Sequence, residues 1–248
     1  MDERKVVAVT GGARGLGRAF CGHFARDGYR VAVCDIRVDD ARDVADAIEQ
    51  TGGTAIPVRL DVTDETSANA MADELAGTWG RVDILINNAG LWGDIKMEPV
   101  MDVSVDYWDT IMAVNLRGPL LCSRAVAPSM RERHWGRIVN ISSMGAYLLG
   151  KTYSISKLAV HHLTWSLADE LGASGITVNC VAPGTMDTEA TRRQDSDEHL
   201  ERVIAANIVK RLGRPEDIYA ALRYFTSDEA EWCTGQSLLV NGGFNVRL

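Results

Sequence analysis

The chain has 248 residues, 46% of them hydrophobic and 24% charged, so it can bury a large core and is not globally disordered. Its net charge is −8 and its pI about 5.2, a balance that argues against nucleic acid or an anionic membrane surface as the main partner. No apolar run approaches the length of a membrane span, and the opening Met1-Asp2-Glu3-Arg4-Lys5 does not read as a secretory signal.

Short β-branched runs alternate with helical patterns from there on. Val6-Val7-Ala8-Val9 is a buried-strand run, and Thr10-Gly11-Gly12-Ala13-Arg14-Gly15-Leu16-Gly17 follows it directly and opens into a helix. Glycines at 11, 15 and 17 permit a tight turn and let the backbone approach a pyrophosphate. The helix N-terminus adds free N–H groups and a positive dipole end. Glycine-rich turns also occur for structural reasons; the strand before and the helix after are what point to a phosphate. Gly11, Arg14, Gly15, Leu16 and Gly17 are therefore candidate dinucleotide contacts.

Arg30-Val31-Ala32-Val33-Cys34 is the second strand, and Asp35 ends it 18 residues after Gly17. An acid near this place holds the adenosine ribose hydroxyls and repels a 2′-phosphate, which favours NAD over NADP. Arg14 and Arg37 pull the other way, since either guanidinium suits a 2′-phosphate; the acid is given more weight because it is the residue positioned for the ribose. A helix from Asp39 to Gln50 stops at Thr51-Gly52-Gly53. Further strand runs are Ala55-Ile56-Pro57-Val58, Ile84-Leu85-Ile86, Arg137-Ile138-Val139-Asn140-Ile141, Ile176-Thr177-Val178-Asn179 and Ser237-Leu238-Leu239-Val240. The polar stretch from Thr185 to about Asn207 reads either as a flap over a site or as a solvated surface helix. Continuous apolar strands alternating with helices predict a doubly wound (Rossmann) α/β fold, a seven-stranded parallel sheet with helices on both faces. No linker divides the chain, so residues 1–248 are expected to form one domain, with a short substrate flap around 185–207.

Tyr153 and Lys157 stand four residues apart, which on a helix puts phenol and ammonium on one face. A neighbouring cation favours the phenolate and lowers its pKa toward the working range, so the pair suits proton exchange with an alcohol or a carbonyl. A chain with six Tyr contains such a spacing by chance often enough that the pair alone is weak. The five cysteines, Cys21, Cys34, Cys122, Cys180 and Cys233, form no Cys-x-x-Cys and read as reduced core thiols, which points to a cytoplasmic home. No His/Cys/Asp cluster has metal-ligand spacing, so no catalytic metal is expected. His161, which continues the Lys157 face, reads as a packed imidazole rather than a catalytic one. The basic run Arg131, Arg133, His134 and Arg137 suits either helix capping or docking of an acidic carrier.

Taken in order, the motifs resemble the short-chain dehydrogenase/reductase family in its compact, single-domain form: Thr10-Gly11-x-x-x-Gly15-x-Gly17, Leu60-Asp61-Val62, Asn87-Asn88-Ala89-Gly90, Val114-Asn115, Ile141-Ser142-Ser143, Tyr153-x-x-x-Lys157 and Ala182-Pro183-Gly184. The resemblance spans nearly the whole chain and implies roles by position. Asp61 and Val62 would meet the adenine, and Asn88 would lie on the adenosine side, with Gly90 allowing close approach. Tyr153 would be the general acid/base. Lys157 would bind the nicotinamide ribose and lower the Tyr153 pKa, and Asn115 would hold a water linking Lys157 to solvent. Ser143 would orient the substrate oxygen; Pro183, Gly184, Met186 and Thr188 would line the nicotinamide carboxamide. Bland readings exist for each residue singly, among them Asn88 tying down strand-end backbone. The step from Ser143 to Tyr153 is 10 residues, shorter than is common in the family, which leaves Ser142 as a rival serine.

The expected reaction is hydride transfer between a nicotinamide cofactor and a secondary alcohol or ketone. Leu91, Trp92, Met97, Ala146, Tyr147, Leu148, Leu149 and Met186 suggest an apolar or aromatic pocket faced by no obvious arginine, and hence an uncharged substrate. The alternatives are an NADP-dependent 3-ketoacyl-carrier-protein reductase and a non-catalytic NAD-binding regulatory protein. A homotetramer, paired through the helices around Asn115 and Tyr153 and the carboxyl end from Asn241 to Leu248, is what the resemblance implies.

Overall fold

The computed structural model describes residues 4–92, 95, 96 and 98–244. Seven parallel strands, β1 (Val6–Thr10), β2 (Arg30–Asp35), β3 (Thr54–Arg59), β4 (Ile84–Asn87), β5 (Gly136–Ile141), β6 (Ile176–Pro183) and β7 (Ser237–Val240), form one sheet in the order β3-β2-β1-β4-β5-β6-β7. Each strand predicted from the sequence is present, and the sheet is the doubly wound one expected. Strand β6 runs four residues past the predicted end because Cys180 to Pro183 pair with β7; a proline is tolerated at a strand end.

Nine α-helices lie among the described residues: α1 (Gly15–Arg26), α2 (Val38–Gln50), α3 (Glu65–Trp79), α4 (Val105–Met112), α5 (Gly118–Glu132), α6 (Thr152–Gly172), α7 (Glu189–Gln194), α8 (Asp197–Ala206) and α9 (Pro215–Thr226). Side chains alternate across a strand, so β1 sends Val7 and Val9 into one core layer with Phe20, Phe24, Val44 and Phe225. The intervening Ala8 enters the other layer, with Met71, Leu75, Met130 and Leu171. Burial of both faces explains why the interior strands β1, β4, β5 and β6 read as largely apolar runs.

Three local features shape the site. Strand order reverses between β2 and β4 around β1, which opens a crevice at the carboxyl ends of the strands. A π-helical turn, Ala113–Arg117, joins α4 to α5 and carries Asn115; such turns are frequent at functional sites. The polar stretch 185–207 folds into α7 and α8, packed through a separate small cluster of Leu200, Val203 and Leu212 with Ile204 beside it.

Candidate active site

A cavity of about 1290 Å³ opens at the carboxyl ends of the strands, from Asp35 at one end to Ser143, Tyr153 and the 185–199 segment at the other. That volume exceeds the usual range for a single small ligand and leaves room for a dinucleotide together with a substrate.

The glycine turn forms the first wall. Gly11 and Gly15 have φ of 63° and 50°, conformations that favour glycine. A Cβ on Gly15 would meet nothing within 4 Å, so the turn is open to a ligand. Gly17 lies behind the wall instead: a Cβ there would overlap the Gly11 carbonyl oxygen. It is the glycine that lets α1 pack against the turn. Arg14 caps α1 without a side-chain hydrogen bond, which leaves the first N–H groups of α1 for an anion. Leu16 lines the cavity while packing on the core. These features fit a pyrophosphate.

Asp35 faces the cavity half-buried. It accepts from Ala13 N at 3.1 Å and Arg37 N at 3.1 Å. Burial raises its pKa, opposed by the Ala13 N–H and by the Arg14 charge. Both arginines meet Asp40, Arg14 at 2.8 Å and Arg37 at 3.4 Å. Sequence reasoning missed Asp40: its i,i+3 spacing to Arg37 was legible, but its pairing with Arg14 across 26 positions leaves no local signal. Asp61 and Val62 also line the wall. One oxygen of Asp61 accepts from Thr63 N and Thr63 Oγ1 at 2.9 and 2.7 Å. The Asn88 side chain donates to the carbonyls of Thr10 at 3.0 Å and Gly11 at 3.2 Å. The bland reading holds for that side chain: it ties the turn to β1, although the residue borders the cavity. Thr10 Oγ1 completes the lock by accepting from Asn88 N and Ala89 N at 3.0 and 2.9 Å.

The other end carries the titratable groups. Tyr153 and Lys157 share a face of α6, with Lys157 Nζ 5.8 Å from the Tyr153 ring centroid. Nζ donates to Ile141 O at 3.0 Å. Ser143 Oγ accepts from Gly145 N at 3.1 Å, and it lies near enough to the Tyr153 phenol to pull its pKa down. The rival Ser142 is turned into the interior, donating to Lys157 O at 2.8 Å. Asn115 does not line the cavity. It is buried behind Gly90, accepting from Leu91 N at 2.8 Å and donating to Ser156 Oγ at 3.1 Å. A Cβ on Gly90 would lie 3.2 Å from Lys157 Nζ and 3.4 Å from Asn115 Oδ1, so glycine at this position lets the three meet. Pro183, Gly184, Met186 and Thr188 complete the floor. Thr188 Oγ1 is engaged as the cap of α7, accepting from Thr191 N at 3.2 Å.

Three expectations need correction. The Tyr153 phenol is not lowered in this cavity: burial pushes it up to about 12, with only the Ser143 hydroxyl pulling down. The same burial pushes the Lys157 ammonium down to about 8. Desolvation disfavours both charged forms and is the largest cause of each shift. Secondly, Tyr147 and Ala146 do not line the cavity; Tyr147 is tucked against His161 with ring centroids 5.1 Å apart. Leu91, Trp92, Leu148, Leu149 and Met186 do line it, and Trp92 lies 5.1 Å from the Tyr153 ring; Met97 falls outside the described residues. Thirdly, an arginine does reach the substrate side: Arg193, on α7, borders the cavity with Glu189 and Asp195. Its placement depends on how the 185–207 stretch folds back, which the sequence pattern does not reveal. No group of His, Cys, Asp and Glu suited to a metal occurs among the described residues.

Comparison with known proteins matches residues 11–245 to a family model described as enoyl-(acyl carrier protein) reductase. An uncharacterized oxidoreductase of Mycobacterium tuberculosis is 43% identical over 247 residues, covering 100% of both chains. Cyclopentanol dehydrogenase of Comamonas is 35% identical over 247 residues, covering 98% of this chain and 97% of its own. Among solved structures, a short-chain type dehydrogenase/reductase from Mycobacterium marinum superimposes with a TM-score of 0.91 at 30% identity, covering 98% of this chain and 96% of that one.

Proposed function

The chain belongs to the short-chain dehydrogenase/reductase family, and from that premise we propose that it is an NAD-dependent oxidoreductase interconverting an uncharged secondary alcohol, cyclic or aromatic, with its ketone. The observation that carries this reading is the convergence of Ser143, Tyr153 and Lys157 on one end of a cavity whose other end is an open glycine turn.

When bound, a nicotinamide ring supplies or accepts the hydride at the carbinol carbon. The Tyr153 phenol, protonated at neutral pH, gives its proton to the carbonyl oxygen in reduction and takes it back in oxidation. Ser143 Oγ hydrogen-bonds the same oxygen, where charge develops. The Lys157 ammonium stabilises the phenolate left behind and suits the hydroxyls of the nicotinamide ribose. Asn115, meeting Lys157 at Gly90, is assigned the water that links the ammonium to solvent. Gly11, Arg14, Gly15 and Leu16 cradle the pyrophosphate, with Gly17 packing α1 behind them. Asp35 takes the adenosine ribose, Asp61 and Val62 flank the adenine with Asn88 on the adenosine side, and Pro183, Gly184, Met186 and Thr188 line the carboxamide.

NAD is favoured because Asp35 faces the ribose end while Asp40 engages both arginines suited to a 2′-phosphate. The apolar lining around Trp92 favours an uncharged ring, in keeping with a relative named for a cyclic alcohol, and Arg193 enters the lining together with the acids Glu189 and Asp195, so that edge carries no net positive charge for an anion. The rival reading, an NADP-dependent 3-ketoacyl-carrier-protein reductase, would need a free basic docking face. Arg133 instead donates to Val82 O at 2.6 Å and Arg137 to Ser227 O at 3.2 Å. We further assign residues 1–248 to one domain with a flap around 185–207, in a cytoplasmic homotetramer; exposed Ile155, Leu158 and Trp165 on α6 support pairing there. Of the carboxyl-terminal pairing segment, residues 245–248 lie outside those described.

Nicotinamide absorbance with a panel of secondary alcohols tests the assignment. Tyr153→Phe should lower turnover by at least about 10²-fold and leave NAD binding intact. Tight NAD binding by the unmodified chain, with no turnover on any alcohol or ketone, would favour the non-catalytic regulator.

A further inference from the structure

His161 is buried, unused by the chemistry above, and bonded at both ring nitrogens. Its Nε2 lies 2.8 Å from Ser142 Oγ and its Nδ1 3.5 Å from the Tyr147 hydroxyl. Ser142 Oγ also lies 2.8 Å from Lys157 O. A carbonyl only accepts and a serine hydroxyl has one proton, so that proton goes to Lys157 O. Ser142 must then accept from the imidazole, which places the histidine proton on Nε2 and leaves Nδ1 to accept from Tyr147. Every donor in the chain points one way: Tyr147 to His161, His161 to Ser142, Ser142 to the backbone of Lys157.

The chain spans the part of the molecule that the sequence marks as unusual. Tyr147 closes the 3₁₀ turn Met144–Tyr147 that follows Ser143, Ser142 follows the end of β5, and Lys157 lies one turn beyond Tyr153 on α6. The stretch from Ser142 to Tyr147, the first half of the short loop, is thus braced at both ends by one ring. Building on the assignment of Ser143, Tyr153 and Lys157 above, we propose that His161, as its Nε2–H tautomer, is a positioning residue that holds the Ser143 turn and the Tyr153–Lys157 turn in register. Burial and the Lys157 charge both lower its pKa, in keeping with a neutral ring. The ionisable groups around it are Lys157 on α6, Tyr147 on the 3₁₀ turn, and Cys180 on β6, next to Ser142.

The tautomer is read directly by ¹⁵N NMR of the full chain labelled at histidine, with His161→Gln identifying the signal. A neutral ring protonated at Nε2 across neutral pH is expected; an Nδ1–H ring or an imidazolium at neutral pH overturns the proposal. In the second arm, His161→Leu should lower kcat about tenfold, the size of one lost hydrogen bond, with the KM for NAD within about twofold. His161→Gln, which retains a side-chain N–H to point toward Ser142, should recover most of the loss. Absence of recovery, or a change in KM with kcat intact, overturns it. If the leucine variant does not fold, the glutamine variant and the NMR signal decide. If the unmodified chain turns over no alcohol or ketone, the dehydrogenase assignment fails, and the tautomer still decides the brace.

Discussion

Substituting Gly17 by Ala separates the packing role of the glycine turn from its ligand role. A Cβ at 17 would overlap the Gly11 carbonyl oxygen and lie 2.6 Å from Asn88 Nδ2. Both neighbours are held, the first being backbone and the second fixed by two carbonyls. Relief to normal contact requires α1 to shift by on the order of 1 Å. Overpacking of this kind costs about 3 kcal/mol, and for a chain of this size that lowers Tm by roughly 6–12 °C. The same shift moves the first N–H groups of α1 away from the pyrophosphate position, so NAD affinity falls too. Two comparison variants calibrate the reasoning. Gly15→Ala meets no atom within 4 Å but sits at φ 50°, and should cost only about 1–2 kcal/mol of left-handed strain. Gly22→Ala, inside α1 and also without a close neighbour, should stabilise by about 0.5–1 kcal/mol. Thermal denaturation and NAD titration of the three variants provide the measurement. A Gly17→Ala chain with unchanged Tm and unchanged NAD affinity would refute the packing argument.

Two other outcomes follow from the charges. Asp40→Asn frees Arg14 and Arg37, so kcat/KM with NADP relative to NAD should rise roughly fivefold, in keeping with exposed ion pairs of about 1 kcal/mol; an unchanged ratio would show that Asp40 does not restrain them. On the proposed mechanism, ketone reduction would require protonated Tyr153 and charged Lys157. The lysine is pushed down from 10.5 to about 8 and the phenol up to about 12, so the ammonium is lost first as pH rises. The kcat for reduction should therefore fall through about pH 8; a profile flat to pH 10 would contradict that order.

The interior strands were legible because burial on both faces writes a largely apolar run, and the turn because a left-handed conformation before a helix demands glycine. The end of β6 was not, since its last residues owe their strand geometry to pairing with β7. Tyr153 and Lys157 were legible from helical spacing, but the direction of the phenol's pKa was not: it depends on how much water the cavity excludes. Spacing also left Ser142 and Ser143 as rivals. The inward bonds of Ser142 to Lys157 O and to His161, 15 and 19 positions away, turn one serine inward, and alternation along the extended backbone leaves the other on the opposite face. Tyr147 and Arg193 show the same limit, one drawn out of the pocket wall and the other drawn into it by folding of segments with no periodic pattern.

The cluster of Leu200, Val203 and Leu212 stands apart from the two sheet cores. Three buried aliphatic side chains contribute about 5–9 kcal/mol at most, while ordering the twenty-odd residues around them costs a comparable or larger amount. On the proposed flap reading, the α7–α8 segment is the region whose local opening would cost least. If the segment acts as the proposed flap, entry and exit of a ring substrate would lift it, and the rate of that lifting would set an upper bound on turnover that changes to the reacting side chains cannot raise.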